Sequence, residues 1–286
     1  MHAQQLRNRV PVRPVPRAQG ARDLGPGLEA PLTRLTVIRD RTPNLTLADA
    51  YEVALSTNSK TGFSINVAIA RTCRPTRACV EYCYGLVGRL TYDAALAAQA
   101  RNAAFFASAD KTVLRHEARR IGRHVLRRQN FIRMFGVGDL QPGSVFFTAA
   151  LAHAFPGLSI WVATRKLELA CQLPPLPNLH VMLSLDATTT PENVEATRRL
   201  VLKNKPQFFA AWVRRSPEDK IPRWVSVVFE EHKMGRRAAW SPDRRSCPAT
   251  ISGGAEHEGA CEKCRFCFDT KRRASGPSLV RISKRP

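Results

Sequence analysis

Short apolar runs alternate with helix-forming segments through most of this 286-residue chain. The runs that have the pattern of strands are 63–70, 131–139, 159–163, 180–186, 207–213 and 225–229. The helical segments between them are 91–108, one from 110, 144–155, one from 166, and 191–203. Strands that alternate with helices form parallel sheets. We therefore predict an α/β protein, and this number of units favours a partial or complete parallel (β/α) barrel over a short open sheet.

The first predicted strand leads directly into a loop with three cysteines. Cys73, Cys79 and Cys83 have C-x5-C-x3-C spacing in a polar segment that also contains Pro75. Three thiolates from one loop can ligate three irons of a 4Fe-4S cubane and leave the fourth iron open, whereas a structural zinc site requires a fourth ligand. The alternative is three unrelated buried cysteines, although a polar loop is a poor place to bury free thiols.

A second set of cysteines lies near the end of the chain, where the periodic apolar pattern stops. Cys247 precedes a proline, and Cys261, Cys264 and Cys267 follow with C-x2-C-x2-C spacing. A segment of this kind needs an internal staple. The spacing is similar to that of ferredoxins and predicts a second 4Fe-4S cluster. Zinc remains the alternative at this site, because four thiolates also suit it.

The charge of the chain indicates a polyanionic partner. Lys and Arg number 45 against 23 Asp and Glu, a formal net charge of +22. In the helix that begins at residue 110, one face carries a row of arginines at i, i+4 spacing: Arg115, Arg119, Arg123 and Arg127. Nucleic acid, either RNA or DNA, is the partner that such a row favours. The alternative is a solvated helix face.

The composition also bears on the compartment. No stretch approaches the ~20 apolar residues of a membrane span, and the N-terminus has no apolar signal core, so no membrane association is expected. Seven of the eight cysteines fall in two clusters, which favours metal binding in a reducing compartment over disulfides. We therefore expect a cytoplasmic protein. Cys171 stands alone in the sequence and is expected to be a small core residue.

Polar residues and glycines follow the predicted strands at the end where a parallel sheet binds ligands. Gly136, Gly138 and Asp139 close the second strand, and Ser184 and Asp186 close the fourth. Glycines there allow a ligand to approach the backbone. These five residues are the candidate cofactor contacts, although the two aspartates could instead cap the helices that follow. No catalytic residue is assigned.

Three further polar residues, Thr164, Arg165 and Lys166, follow the third predicted strand at the same mouth. The alternative for the two cations is that they are surface charges.

The cysteine loop carries a resemblance to known families. A strand that runs into three clustered cysteines, the last followed by Tyr84, is similar to the opening of radical S-adenosylmethionine (radical SAM) enzymes. The stretch LSTNSKTG at 55–62, the loop that ends in Cys83-Tyr84 and the late cluster at 261–268 resemble the phage gene product 88 family over roughly 46–269. The resemblance implies a radical SAM-like barrel, SAM at the open iron and an external electron donor.

The expected organisation has four parts. Residues 1–34 form a basic tail without periodic pattern, 35–240 the barrel domain, 241–270 the cysteine-rich segment and 271–286 a second basic tail. A short capped helix is expected over 45–56. Two functions follow: a radical SAM-like enzyme that acts on or with nucleic acid, or a metal-stabilised nucleic-acid-binding protein without chemistry. A three-cysteine loop with no evident fourth ligand favours the enzyme.

Overall fold

A seven-stranded sheet forms the centre of the computed structural model, which describes residues 29–58, 61–203, 207–230, 245–247, 250 and 260–271. The strands are β1 (Leu55–Asn58), β2 (Gly62–Ile65), β3 (Phe131–Met134), β4 (Ser159–Thr164), β5 (Leu179–Asp186), β6 (Phe208–Arg214) and β7 (Val227–Glu230). The helices are α1 (Glu29–Arg41), α2 (Ile69–Thr72), α3 (Arg77–Glu81), α4 (Asp93–Ser108), α5 (Lys111–Leu126), α6 (Pro142–Ala154), α7 (Leu167–Ala170), α8 (Pro191–Lys203) and α9 (Ala260–Cys264).

The strands lie in the sheet in the same order as in the sequence. β1 and β2 form an antiparallel hairpin, with Leu55 opposite Ile65, and all later neighbours pair in parallel. With right-handed crossovers, consecutive order places the connecting helices on one face of the sheet. The prediction of an α/β protein with a mostly parallel sheet is confirmed.

The helix-covered face of the sheet holds the larger apolar core. Ile132, Val162, Val181 and Ala210 from successive strands share one cluster with side chains of α5 and α6. In α5, the predicted apolar face is the buried face, since Leu114, Ala118, Ile121 and Val125 are at most 2% exposed. The helix begins after Asp110, whose carboxylate accepts hydrogen bonds from the backbone N–H groups of residues 112 and 113.

The opposite face of the sheet is covered by the cysteine-rich segment. Phe266 and Phe268, in a 3-10 turn after α9, pack with Phe131, Trp161 and other strand residues. The rings of Phe131 and Phe268 stack with centroids 4.4 Å apart and planes 9° from parallel. Aromatic burial therefore fixes this segment against the sheet.

Two predicted strands end earlier than expected. The run 63–70 leaves the sheet after Ile65 and turns into α2, and the run 131–139 leaves it after Met134. Phe135 breaks the extended conformation with a φ of +63° and is nevertheless buried. The predictions were too long because apolar residues continue past each strand end into buried loops, where periodicity cannot separate strand from loop.

The prediction of a short helix over 45–56 is wrong. Only Leu47–Asp49 forms a 3-10 turn, and the chain then reaches β1. The expected capping contact does exist, because the Thr46 N–H donates to the Asp49 carboxylate over 2.9 Å. Distant side chains decide the rest: Glu117 accepts from the Val53 N–H, and Asn102 accepts from the Ala54 N–H. These contacts override the local helix preference.

At the N-terminus, helix α1 begins at Glu29, inside the segment that was predicted to be an unstructured tail up to residue 34. Residues 1–28 and 272–286, and the domain boundary near 240, lie outside the described residues. None of the helices in the described part of the chain combines the length and the apolar composition that crossing a bilayer requires.

Candidate metal centre

The structure brings the first three cysteines together at the carboxyl edge of the sheet. Cys73 follows α2, Cys79 lies in α3 and Cys83 comes two residues after its end, and all three are partly buried. Burial raises the pKa of the Cys73 thiol well above its usual value, and Asp139 and the other two thiols raise it further. The thiols of Cys79 and Cys83 therefore lie near enough to Cys73 to affect its titration.

Hydrogen bonds to the end of β5 hold the cysteine loop in place. The Thr76 hydroxyl donates to Asp186 Oδ2 over 2.6 Å and accepts from the Cys79 N–H over 3.1 Å. One residue before that cysteine, the Ala78 N–H donates to Thr188 Oγ1 over 3.0 Å. These hydrogen bonds connect the loop to the end of β5.

Arg165 joins the cysteine loop to β4 and β5. Its guanidinium lies 2.8 Å from Asp186 Oδ2, and the two side chains are 15% and 0% exposed. It also hydrogen-bonds the Cys79 thiol; burial raises the pKa of that thiol, and Arg165 opposes the rise. The interpretation of Arg165 as a surface charge is wrong. Lys166 is partly buried too, and its Nζ donates to the Leu140 carbonyl over 2.7 Å.

Asp139 organises the ends of β3 and β4. Its carboxylate accepts hydrogen bonds from the Thr164 hydroxyl at 2.5 Å, the Leu140 N–H at 2.7 Å and the Arg165 N–H at 3.2 Å. Burial raises its pKa, and these donors oppose the rise. It does not cap α6, whose first turn is closed by Gln141.

Asp186 plays the same part at the end of β5, where it accepts from the N–H and the hydroxyl of Thr188. The capping alternative fails for it as well, because α8 begins at Pro191, after Thr190. A direct contact of Asp139 or Asp186 with a cofactor stays a prediction.

The two predicted ligand-end glycines are explained by packing against the loop that follows β2. Gly138 has a φ of +83°, and a Cβ there would clash with the Val67 carbonyl oxygen. A Cβ on Gly136 would lie 2.5 Å from Asn66 Oδ1. Approach of a ligand at these glycines stays a prediction.

Of the five candidate contacts, Ser184 lies beside a cleft. It lines a cleft of about 70 Å³ together with residues of the cysteine loop, the end of β4 and α8, among them Arg74, Thr76, Arg165 and Asn193. A volume of this size accommodates a few water molecules or one small polar group. The cleft therefore opens beside the cysteine loop at the predicted mouth.

Tyr84 and Arg133 connect this loop to the other face of the sheet, and sequence reasoning missed both roles. The Tyr84 hydroxyl donates to the Gly136 carbonyl and accepts from Arg133 over 3.1 Å. The Arg133 guanidinium lies over the Trp161 ring, 4.7 Å from its centroid. Nothing in the sequence pointed to Arg133, because it lies in the middle of an apolar run.

The C-terminal cysteines lie on that other face. Cys247, Cys261, Cys264 and Cys267 are partly buried and pack against the cluster that contains Phe266 and Phe268. The Cys247 N–H donates to the carbonyl of Val228 over 2.7 Å, which ties this cysteine to β7. The two cysteine sets thus occupy two places on one sheet, its carboxyl edge and the face opposite α5 and α6.

The described cysteines do not form the compact ligand set of a single bound ion. Among the described residues, no three His, Cys, Asp or Glu side chains gather closely enough to hold one metal ion. In a 4Fe-4S cubane each thiolate binds a different iron, so the ligands are farther apart than those of a single ion.

Cys171 belongs to neither cysteine set. It is exposed at the end of α7, so the expectation of a core residue is wrong.

The predicted arginine row lies on the exposed face of α5. Arg115, Arg119, Arg123 and Arg127 are all exposed. At one end of the row, the guanidinium of Arg115 and the ammonium of Lys111 cover the ring of Phe146. The row is a continuous basic surface, on a different part of the molecule from the cysteine loop.

These features define a mostly parallel α/β protein with one cysteine set at the carboxyl edge of its sheet and a second on the face opposite α5 and α6. Residues 37–270 match the gene product 88 family, and the chain belongs to that family. No curated protein and no solved structure matches the sequence.

Proposed function

We propose that this protein is an iron-sulfur protein related in design to radical SAM enzymes. Cys73, Cys79 and Cys83 hold a 4Fe-4S cluster with one open iron, and the protein acts on or with a nucleic-acid-related substrate. The observation that carries the proposal is the fixed cysteine loop: three thiols at the carboxyl edge of a parallel sheet, held by Thr76 and Ala78.

The topology supports a radical SAM-like partial barrel. The parallel strands follow one another in sequence order, and the cysteine loop comes directly after the first of them, β2. In barrels of this kind the carboxyl ends of the strands share one mouth, where catalytic groups gather. The cysteines, Arg165 and Ser184 lie at that edge here.

The residues around the loop have separate tasks in this proposal. When bound, the cluster supplies an electron to SAM at its open iron. Arg165 holds the sulfur of Cys79 and is itself fixed by Asp186. Ser184 lines the adjacent cleft and is the candidate SAM contact that the test below addresses. Asp139 keeps the ends of β3 and β4 in register with the loop.

The C-terminal cysteines hold a second cluster, which relays electrons or contacts the substrate, with zinc as the alternative metal. Their position against Phe266 and Phe268 also suits a purely structural staple. That observation favours the second candidate function, a metal-stabilised nucleic-acid-binding protein without chemistry. The two functions differ in whether the first cysteine set carries a reactive cluster.

Electron paramagnetic resonance of the anaerobically purified, reduced protein separates these functions. The enzyme hypothesis expects the cluster signal to shift when SAM is added and 5'-deoxyadenosine to form. Replacement of Ser184 by alanine is expected to weaken the shift and leave the cluster content unchanged. A fully loaded cluster that neither shifts nor consumes SAM would contradict the enzyme hypothesis and favour the binding protein.

A further inference from the structure

Tyr51 stands out on the surface beside the arginine helix. Its side chain is 74% exposed, although its neighbour Ala50 is fully buried and Val53 is 2% exposed. The exposed ring therefore belongs to a short segment that is anchored on both sides by buried apolar residues.

Hydrogen bonds fix this segment to α4 and α5. The Val53 N–H donates to Glu117 Oε1 over 2.6 Å, and its carbonyl accepts from Arg120 over 3.0 Å. Asn102 of α4 brackets the next peptide, accepting from the Ala54 N–H and donating to the Ala54 carbonyl. Tyr51 is thus presented by a rigid support at the edge of α5.

The arginine row and this segment are adjacent. Arg120 follows Arg119 of the row directly, and its guanidinium lies 3.8 Å from Glu52, the neighbour of Tyr51. Successive residues of an i, i+4 row turn by about 40° around the helix axis, because each residue advances about 100°. The row therefore crosses the helix obliquely, from the side of Phe146 towards the side of Glu52 and Tyr51.

The two edges of this surface differ in what they offer a ligand. On the α6 side, Lys111 and Arg115 cover the aromatic ring of Phe146. On the other side, Tyr51 leaves its ring open to solvent. Arg115 and Arg127 are twelve residues apart, roughly 18 Å along the helix axis, which matches several nucleotides of one strand. A basic track with one open aromatic ring is the combination that single-stranded nucleic acids bind.

We infer that the α5 face and Tyr51 form one binding surface for single-stranded nucleic acid, in which the arginines contact phosphates and Tyr51 stacks on a base. A duplex offers its phosphates to the arginines but keeps its bases paired, so Tyr51 adds nothing to duplex binding. The inference rests on the proposed nucleic-acid binding and adds the strand form and the stacking residue.

The test measures binding of the full-length protein to fluorescein-labelled DNA and RNA strands of mixed sequence, and to the same strands annealed to their complements. Tyr51→Ala is expected to weaken binding of the single strand by about 5-fold to 100-fold, whereas Tyr51→Phe keeps the affinity. Duplex binding is expected to stay unchanged in both variants. Tyr92→Ala, at a tyrosine that is 62% exposed at the start of α4, is the matched control and should bind like the wild type.

Two outcomes overturn the inference: a Tyr51→Ala variant that binds the single strand as tightly as the wild type, or one that loses duplex binding to the same extent. In either case, the double variant Arg119→Glu/Arg123→Glu shows whether the proposed nucleic-acid binding survives. If that variant loses affinity, only the role of Tyr51 is wrong; if it binds normally, the α5 face is not a nucleic-acid surface.

Discussion

The guanidinium of Arg165 lies 2.8 Å from the fully buried carboxylate of Asp186, and the pair connects the ends of β4 and β5 with the cysteine loop. The hydroxyl of Thr76, in that loop, donates to the same carboxylate oxygen. Arg165 also hydrogen-bonds the thiol of Cys79. The geometry of the candidate metal centre therefore depends on a buried ion pair at the ends of β4 and β5.

Replacement of Asp186 by asparagine is expected to lower the free energy of unfolding by about 3–5 kcal/mol at neutral pH, because it leaves the guanidinium of Arg165 buried without its partner. Thr76→Val, which removes one hydrogen bond to the same carboxylate and the N-terminal cap of α3, should cost about 2 kcal/mol. Urea unfolding of both variants gives the comparison. Equal losses of unfolding free energy in the two variants would contradict the proposed role of the ion pair in holding the cysteine loop to β4 and β5.

The ion pair also predicts a pH dependence. Burial raises the pKa of Asp186, but Arg165 and the hydrogen bonds from Thr76 and Thr188 outweigh it, and the folded-state pKa lies below the usual value. A depressed pKa contributes stability above about pH 3.9, where an unfolded aspartate titrates, and this contribution is lost as the pH falls through the folded-state pKa. The difference between wild type and Asp186→Asn should shrink below about pH 4. A difference that is constant with pH would contradict this.

Gly138 is expected to tolerate no side chain. Its φ of +83° and the clash that a Cβ would make with the Val67 carbonyl oxygen make Gly138→Ala unfavourable, by about 1–3 kcal/mol from the backbone conformation alone. Gly157→Ala is the control, since a Cβ there meets no atom within 4 Å. In thermal unfolding, Gly138→Ala should melt at a clearly lower temperature than Gly157→Ala. The same melting temperature for both variants would contradict the backbone conformation assigned to Gly138.

The stacked pair of Phe131 and Phe268 should anchor the C-terminal segment. Phe268→Ala is expected to cost about 3–5 kcal/mol, because it removes a buried aromatic ring from the face of the sheet opposite α5 and α6. Leu202→Ala, at a half-exposed position of α8, should change stability by less than about 0.5 kcal/mol. Denaturant unfolding measures both. An unchanged Phe268→Ala variant would show that this segment does not depend on aromatic packing.

The arginine row predicts a salt-dependent contribution to nucleic-acid binding. The affinity falls as salt rises. Arg119→Glu/Arg123→Glu should make this fall less steep, reducing the magnitude of the slope of log affinity against log salt by about 1.5, if each arginine contacts one phosphate. Arg198→Glu/Arg199→Glu on α8 makes the same charge change at exposed residues away from α5 and should leave the slope much closer to that of the wild type. Equal slopes for the two variants would indicate a general effect of net charge.

Elements with local signals were predictable from the sequence. The bounds of α8 are those predicted, 191–203, because Pro191 and the apolar period mark it, and the four buried residues of α5 follow from their spacing. The hairpin strand β1 was missed, because the contacts of Glu117 and Asn102 that direct the chain into it come from far along the sequence. The sequence left open whether Arg165 is a surface charge for the same reason, because its partner Asp186 is distant in the sequence and only the fold brings the two together.

The metal content of the purified protein tests the central proposal most directly. The proposal predicts about eight irons and eight acid-labile sulfides per chain after anaerobic purification, if both sites hold 4Fe-4S cubanes. Cys79→Ser should retain about half of both, and Cys171→Ser, at the exposed cysteine outside the two sets, should retain all. Stoichiometric zinc in place of iron, or an iron content that Cys79→Ser leaves unchanged, would contradict the proposal that Cys73, Cys79 and Cys83 hold an iron-sulfur cluster.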